Sequence, residues 1–378
     1  MLGNRRLVLD TFCEVYDQLK HLADAEFFDF GKHHLIEGAI YFIGRAQANH
    51  HRERLFEIIE KDLAKIVYSN PAEGSETLHW QISRLGLIDY VQQHRVLLIG
   101  GGDMQADIPC LWYDVFLPKI HDYTENLDEI ARGTEIFTKT DKPYDFLFLN
   151  GRLRPHRKYL LESFRISGLL DRALWTNLDR YRGFNNSFQL VHEGRDIMAD
   201  EFPIHYLPPQ YEVPRYRGNI GRQCAESFVK YDFFDQTWGE IYLWADPYID
   251  TYFSLITETV FMYPHSFRTE KLWKPMAMGH PWIVAANRGF YRDLKSIGFR
   301  TFSHLIDESF DLIDDNRDRI DGVRDVVQDL CQQDLSAFLV AAKEVCDYNQ
   351  QHLMEMRQQV RRELPNRVER FIRKYWNI

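Results

Sequence analysis

Cysteine is scarce in this chain: five in 378 residues, namely Cys13, Cys110, Cys224, Cys331 and Cys346, far apart and odd in number. With no Cys-x-x-Cys and no Cys/His cluster, neither a zinc module nor a disulfide scaffold is encoded. Reduced, mostly buried thiols in a cytoplasmic chain are expected instead. Long apolar runs are also missing, since no window reaches the ~18 uninterrupted apolar residues that a membrane helix needs. The start, Met1 to Arg6 followed by Asp10 and Glu14, does not read as a secretory leader. Excess positive charge is absent as well. Lys and Arg number 46 against 56 Asp and Glu, a formal charge of −10. Such a field draws the chain neither to nucleic acid nor to an anionic membrane, so a phosphate-bearing ligand must be held by a few placed cations. No G-x-x-x-x-G-K-[ST] loop is present, which disfavours a P-loop kinase, and Gly100-Gly101-Gly102 does not fit G-x-G-x-x-G.

What is there is an alternation of strand and helix patterns. The spacing of Val8, Phe12, Val15, Leu19 and Leu22 predicts a helix over the first ~35 residues. Short apolar runs at 39–43, 66–68 and 96–99 read as strands, and Leu55 to Leu63 and Trp80 to Val91 read as helix faces between them. Strands alternating with helices predict a parallel sheet with crossover helices, whose ligands sit at the C-terminal strand ends. The polar stretch Thr124 to Pro143 reads as a linker. A second unit then opens with the strand Tyr144 to Leu149, the helix Tyr159 to Leu170 and a strand at Ala173-Leu174-Trp175. Pro- and Tyr-rich residues 180–245 predict a long irregular excursion. Regularity returns with the strand Phe253 to Glu258, a helix from Glu270 to Met278 closed by Gly279, the strand Trp282 to Ala285 and a helix from Tyr291 to Ile297. Beyond Asp307 the chain reads as charged helix, broken at Pro365. The expected domains are 1–135, 141–330 and a helical tail 331–378.

Two segments carry chemistry. In the first, Thr269 is a plausible N-cap that leaves Glu270 and Lys271 in the first helical turn. Free main-chain N–H groups there attract phosphate, Lys271 adds a full charge, and Glu270 can accept hydrogen bonds from a ribose diol. The plain alternative is that Glu270 complements the helix dipole and Lys271 is solvated. The second segment is Asn150-Gly151-Arg152-Leu153-Arg154-Pro155-His156-Arg157-Lys158, a basic loop between a strand and a helix, where an α/β domain meets an anionic ligand. Cations at a helix start oppose the helix dipole, and a bound anion removes that penalty.

The run Thr269-Glu270-Lys271-Leu272-Trp273, followed by Gly279, Pro281 and Ile283-Val284, resembles the donor-domain signature of GT-B glycosyltransferases, most closely the α1,3-fucosyltransferase-like families. Asn287-Arg288-Gly289 and Gly298-Phe299 are similar to the loop and helix that follow it. The resemblance covers about 60 of the 378 residues. It implies two Rossmann-type domains facing a cleft, an acceptor side in the first and a nucleotide-sugar donor site in the second. It further implies ribose contact by Glu270, diphosphate contact by Lys271, and an Arg near the basic loop, Arg152 or Arg154, against the leaving diphosphate. The strand end before the motif departs from the family's Phe-Glu-Asn, reading Ile256-Thr257-Glu258-Thr259, which leaves the donor sugar open. GT-A enzymes hold Mg²⁺ or Mn²⁺ with Asp-x-Asp. Here no two aspartates stand two positions apart (Asp314 and Asp315 are adjacent, Asp103 and Asp107 four apart), so neither a metal nor another cofactor is expected.

An inverting transfer also needs a general base near the acceptor hydroxyl. Glu73 after the second apolar run, Asp103 after the glycine loop and Glu37 before the first run fit by position; Glu73 and Asp103 are the catalytic candidates, with turn or capping roles as the plain alternative. The expected activity is metal-independent transfer of a sugar from a nucleotide sugar to a glycan or other hydroxyl acceptor. Two other readings stay open. One is a non-catalytic nucleotide- or glycan-binding protein of the same fold. The other is a glycosyltransferase of modified nucleic-acid bases, against which the acidic charge weighs.

Overall fold

A computed structural model describes residues 6–10, 15–22, 25–27, 30, 34–102, 108–121, 124–179, 188–211 and 243–377. The chain is α/β with parallel sheets and divides into two compact units, 1–118 with 356–378, and 119–355.

The first unit is built on six parallel strands: β1 (Leu7–Asp10), β2 (Ala25–Phe27), β3 (Ile40–Gly44), β4 (Lys65–Asn70), β5 (Val96–Gly100) and β6 (Cys110–Trp112). Their order is β2-β1-β3-β4-β5-β6, so the winding direction reverses between β1 and β3. The N-terminal helix expected over the first ~35 residues is therefore corrected in part: Tyr16–Leu19 and Lys20–Leu22 are helical, whereas Leu7–Asp10 and Ala25–Phe27 are strands. Leu7, Val8 and Leu9 are all buried, because β1 is an inner strand covered on both faces, and such strands read as continuous apolar runs that helical spacing can mimic. Helices α1 (Arg52–Glu60) and α2 (Ser75–Leu85) supply Leu55, Ile58, Ile59, Leu78 and Ile82 to a core with Val8, Tyr41, Ile43, Tyr68 and Leu98.

The second unit carries four parallel strands, β7 (Tyr144–Asn150), β8 (Ala173–Asn177), and, beyond a two-stranded antiparallel hairpin of β9 (Val191–His192) and β10 (Arg195–Asp196), β11 (Thr251–Thr257) and β12 (Trp282–Ala285). The order β12-β11-β7-β8 places its reversal between β7 and β11. Helix α3 (Pro155–Ile166) joins β7 to β8, and α4 (Glu270–Met278) joins β11 to β12. The centre is aromatic: Phe146 stacks on Phe253 at 5.5 Å, Phe164 stands edge-on to Phe146 and to Phe148, and Phe148 is tilted against Phe146. Of the irregular excursion, 188–211 consists of the hairpin and two 3₁₀ turns, while 180–187 and 212–242 lie outside the described residues.

The stretch 124–143 is folded, not a bare linker. It forms a helix Thr124–Ala131 and two further turns through Thr138; Asn126 and Glu129 are buried, Asn126 Nδ2 donates to the Ile120 carbonyl at 2.6 Å, and the side-chain oxygens of the two accept the N–H groups of Leu243 and Ala245. Its polar composition serves these internal bonds. Helices α5 (Phe290–Ser296) and α6 (Asn316–Leu330) follow, then α7 (Leu335–Trp376), which runs through Pro365 unbroken. Leu364, Val368 and Ile372 are buried at helical spacing there, and packing of that stripe offsets the ~3 kcal/mol an interior proline costs. Among the described residues no helix is long and apolar enough to cross a membrane.

A methyl group on Gly133 would sit 2.4 Å from the Met278 carbonyl oxygen, main chain that cannot swing aside, whereas one on Gly151 meets nothing within 4 Å among the described residues. Gly133→Ala is expected to lower the urea midpoint by the equivalent of about 1–3 kcal/mol, and Gly151→Ala to leave it within experimental error.

Candidate functional site

The C-terminal edge of the second sheet gathers the candidate residues. Thr269 takes extended backbone angles and caps α4: its Oγ1 accepts from the Lys271 N–H at 3.3 Å and from Lys271 Nζ at 3.1 Å. That hydroxyl donates in turn to Glu258 Oε2 at 2.8 Å, while the Thr269 N–H donates to Glu258 Oε1 at 2.9 Å. A hydroxyl with one donation and two acceptances is saturated, so the cap is locked to Glu258, the residue just past β11. Glu258 itself is wholly buried, and burial pushes its carboxyl up against the opposing pull of Lys271 and the Thr269 N–H. Glu270 is buried too, but there the charges of Lys271 and Lys274 outweigh burial and hold its carboxyl below the ordinary value. Lys271 Nζ stands 2.6 Å from Glu270 Oε1 and is the more exposed partner.

The basic loop after β7 contributes from the opposite side of the reversal. Arg152 and Arg154 are exposed, with Arg154 as the N-cap residue of α3, followed by Pro155 at the first helical turn. Arg157, from the same run, is buried and spans the reversal. Its guanidinium donates to the Arg152 carbonyl at 2.6 Å and the Thr257 carbonyl at 2.9 Å, and its Nε has no acceptor. Burial and the nearby Arg154 charge push Arg157 down to about 10, while Glu258 and Glu270 pull the other way. It remains a cation at neutral pH with no carboxylate bonded to it. His156 also faces this edge, its Nε2 donating to the Glu258 carbonyl oxygen at 3.0 Å and its ring stacked on Phe261 at 4.9 Å.

The sequence-predicted residues thus divide. Thr269, Glu270 and Lys271 stand together; Arg154 lies close enough to Arg157 and His156 to disfavour their protonation. Arg152 offers its carbonyl to the site. Glu73 belongs to the first unit, on the turn after β4, half-buried and 3.8 Å from Arg45 Nη1. Glu37 is exposed on a turn before β3. Asp103 lies outside the described residues. Arg157 and Glu258 were visible only as members of their runs, with nothing local to mark them as the buried ones. Among the described residues no three His, Cys, Asp or Glu side chains gather to hold a metal ion, and Cys331 and Cys346 are buried free thiols with Cys110 half-buried. Comparison of the chain with protein-family models, curated proteins and solved structures returned no match.

Burial drives His156 well below the ordinary histidine value, aided by Arg157 and Arg154, and drives His280, bonded to Ser254 Oγ and the Thr251 carbonyl, down to about 3. Both are neutral in the folded chain. Below about pH 6.5 the unfolded chain binds protons that the folded chain refuses, so stability falls with acidification, by up to ~1.4 kcal/mol per pH unit for each histidine. Urea midpoints of the wild type measured from pH 7.5 to 5 are expected to decline, and His156→Gln, which can still donate to the Glu258 carbonyl, to decline less steeply.

Proposed function

We propose that the chain is a glycosyltransferase that takes a sugar from a nucleotide-sugar donor, and that the second unit binds the donor at the C-terminal edge of its sheet. The observation that carries this reading is the meeting, at a strand-order reversal, of a buried guanidinium without a bonded carboxylate and a capped helix start bearing Glu270 and Lys271. Reversals of this kind open a crevice at the C-terminal strand ends, and a guanidinium bonded only to carbonyls keeps its charge available to an anionic ligand. The Thr269–Lys271 resemblance to α1,3-fucosyltransferase-like GT-B enzymes supports the same assignment. It makes the two parallel-sheet units donor and acceptor halves, with Glu73 as the acceptor-side carboxylate.

In this reading Glu270 accepts from the ribose hydroxyls, and Lys271 with Arg157 and Arg154 faces the diphosphate. Cleavage of the bond from sugar to diphosphate leaves negative charge on the departing oxygen. Cations already fixed in a low-dielectric edge stabilise that developing charge more than the ground state. Their number lets side chains carry the role that a metal ion fills in other sugar transferases. Lys271 gives up part of its bond to Glu270 when phosphate oxygens compete for it, which frees Glu270 for the ribose.

Binding of a nucleoside diphosphate at one hundred times its Kd adds about 2.7 kcal/mol of apparent stability, so a thermal-shift screen with UDP, GDP and ADP, and CMP as the monophosphate control, is expected to show one clear rise. Lys271→Ala is expected to lower kcat at least tenfold with the matching nucleotide sugar, about 1.4 kcal/mol of transition-state stabilisation, with the Tm of the free protein little changed. No shift with any diphosphate, or unchanged turnover in the variant, overturns the reading.

A further inference from the structure

Buried polar atoms are almost always paired, and leaving one unpaired is costly. Besides Arg157 Nε, two such atoms lie side by side at the edge just described. Asn150 ends β7 and Asn177 ends β8, and the two are direct register partners. Both residues are essentially inaccessible. The Asn177 amide nitrogen donates to the Pro203 carbonyl at 2.8 Å, which leaves its Oδ1 without a donor. Asn150 Oδ1 accepts from Thr257 Oγ1 at 3.0 Å, which leaves its Nδ2 without an acceptor. One unused donor and one unused acceptor therefore stand on paired residues at the C-terminal end of the sheet, and the next residue, Gly151, borders open space, where an added methyl meets no atom of the described residues within 4 Å.

We infer that Asn150 and Asn177 hold the hydroxyl groups of the transferred sugar; this rests on the nucleotide-sugar reading and extends it. Phosphate cannot satisfy the pair, because it has no proton to give Asn177 Oδ1. A hydroxyl both donates and accepts, so one hydroxyl or a neighbouring two satisfy both amides. The position along the edge fits. Thr269 to Lys271 lies between β11 and β12, Arg157 bridges β11 and β7, and the asparagines lie on β7 and β8. With strands about 4.8 Å apart, the step from β11 to β8 is about 10 Å. A donor laid with its ribose at Glu270 and its diphosphate across Lys271 and Arg157 brings its sugar over the two amides. A site that hydrogen-bonds a hydroxyl strongly rejects a ligand lacking it, so this pair sets which sugar is accepted.

The test is isothermal titration of the full chain with UDP and GDP, and with UDP-glucose and GDP-mannose. Asn150→Ala and Asn177→Ala are each expected to weaken the nucleotide sugar at least tenfold while the affinity for the parent diphosphate stays within twofold. If near-ultraviolet circular dichroism shows that an alanine variant is unfolded, Asn150→Ser and Asn177→Ser are titrated in its place, with the same expectation. Equal weakening of sugar and diphosphate puts the pair at the nucleoside end and overturns the inference. So does no change in either, which leaves the pair holding a structural water only, and so does a wild type that binds the diphosphate no less tightly than the nucleotide sugar. A wild type that binds none of the four ligands, nor ADP or ADP-glucose titrated in the same way, overturns the nucleotide-sugar reading itself, a result distinct from the other three.

Discussion

A single buried carboxylate organises the second unit. Glu258 takes both the N–H and the hydroxyl of Thr269, eleven residues onward, and its own carbonyl accepts from His156 on α3. Those three bonds join the end of β11 to the start of α4 and to the first turn of α3, the two helices that leave the strand-order reversal in opposite directions. An ionised carboxylate in such a place is expensive unless it is hydrogen-bonded and accompanied by cations. Here the capping hydroxyl, a main-chain N–H and the Lys271 charge oppose the upward push of burial on that carboxyl without cancelling it. The direction of Glu270 and Lys271 follows from how Thr269 is held.

The same edge concentrates positive charge in a chain whose overall balance is acidic. Arg157 is the clearest case, since its bonds go to two carbonyls and its charge is answered only at a distance by Glu258 and Glu270. Its two anchors are the loop after β7 and the end of β11, so the guanidinium also ties the two sides of the reversal together. A cation held this firmly does not need to reorganise to meet an anion. Arg152 and Arg154, exposed at the loop tip, are screened by solvent and act more weakly per charge.

Much of the helix and strand succession was legible from the residues. The helix Glu270–Met278 and the strand Trp282–Ala285 lie where their pattern places them, because Thr269 caps, Gly279 turns left-handed at φ +69° and the run between 282 and 285 is wholly apolar. Where patterns failed, long-range packing overrode local preference. Val8 belongs to a strand covered on both faces, and Pro365 is carried inside a helix by its buried neighbours. The polar residues of 124–138 serve as internal hydrogen-bond partners to a segment more than a hundred residues away.

What the sequence by itself determined is the chemistry on offer: an acidic chain of alternating strands and helices, with a Thr-Glu-Lys helix start and a basic loop after a strand. Those features are local, set by capping geometry, periodicity and side-chain type. Only the tertiary structure decided which arginine of the basic run is buried, that Glu258 and not solvent answers Thr269, and that Asn150 and Asn177 stand together 27 residues apart in the chain. Burial and pairing depend on which strands become neighbours. That order is a property of the whole sheet, and no window of sequence contains it.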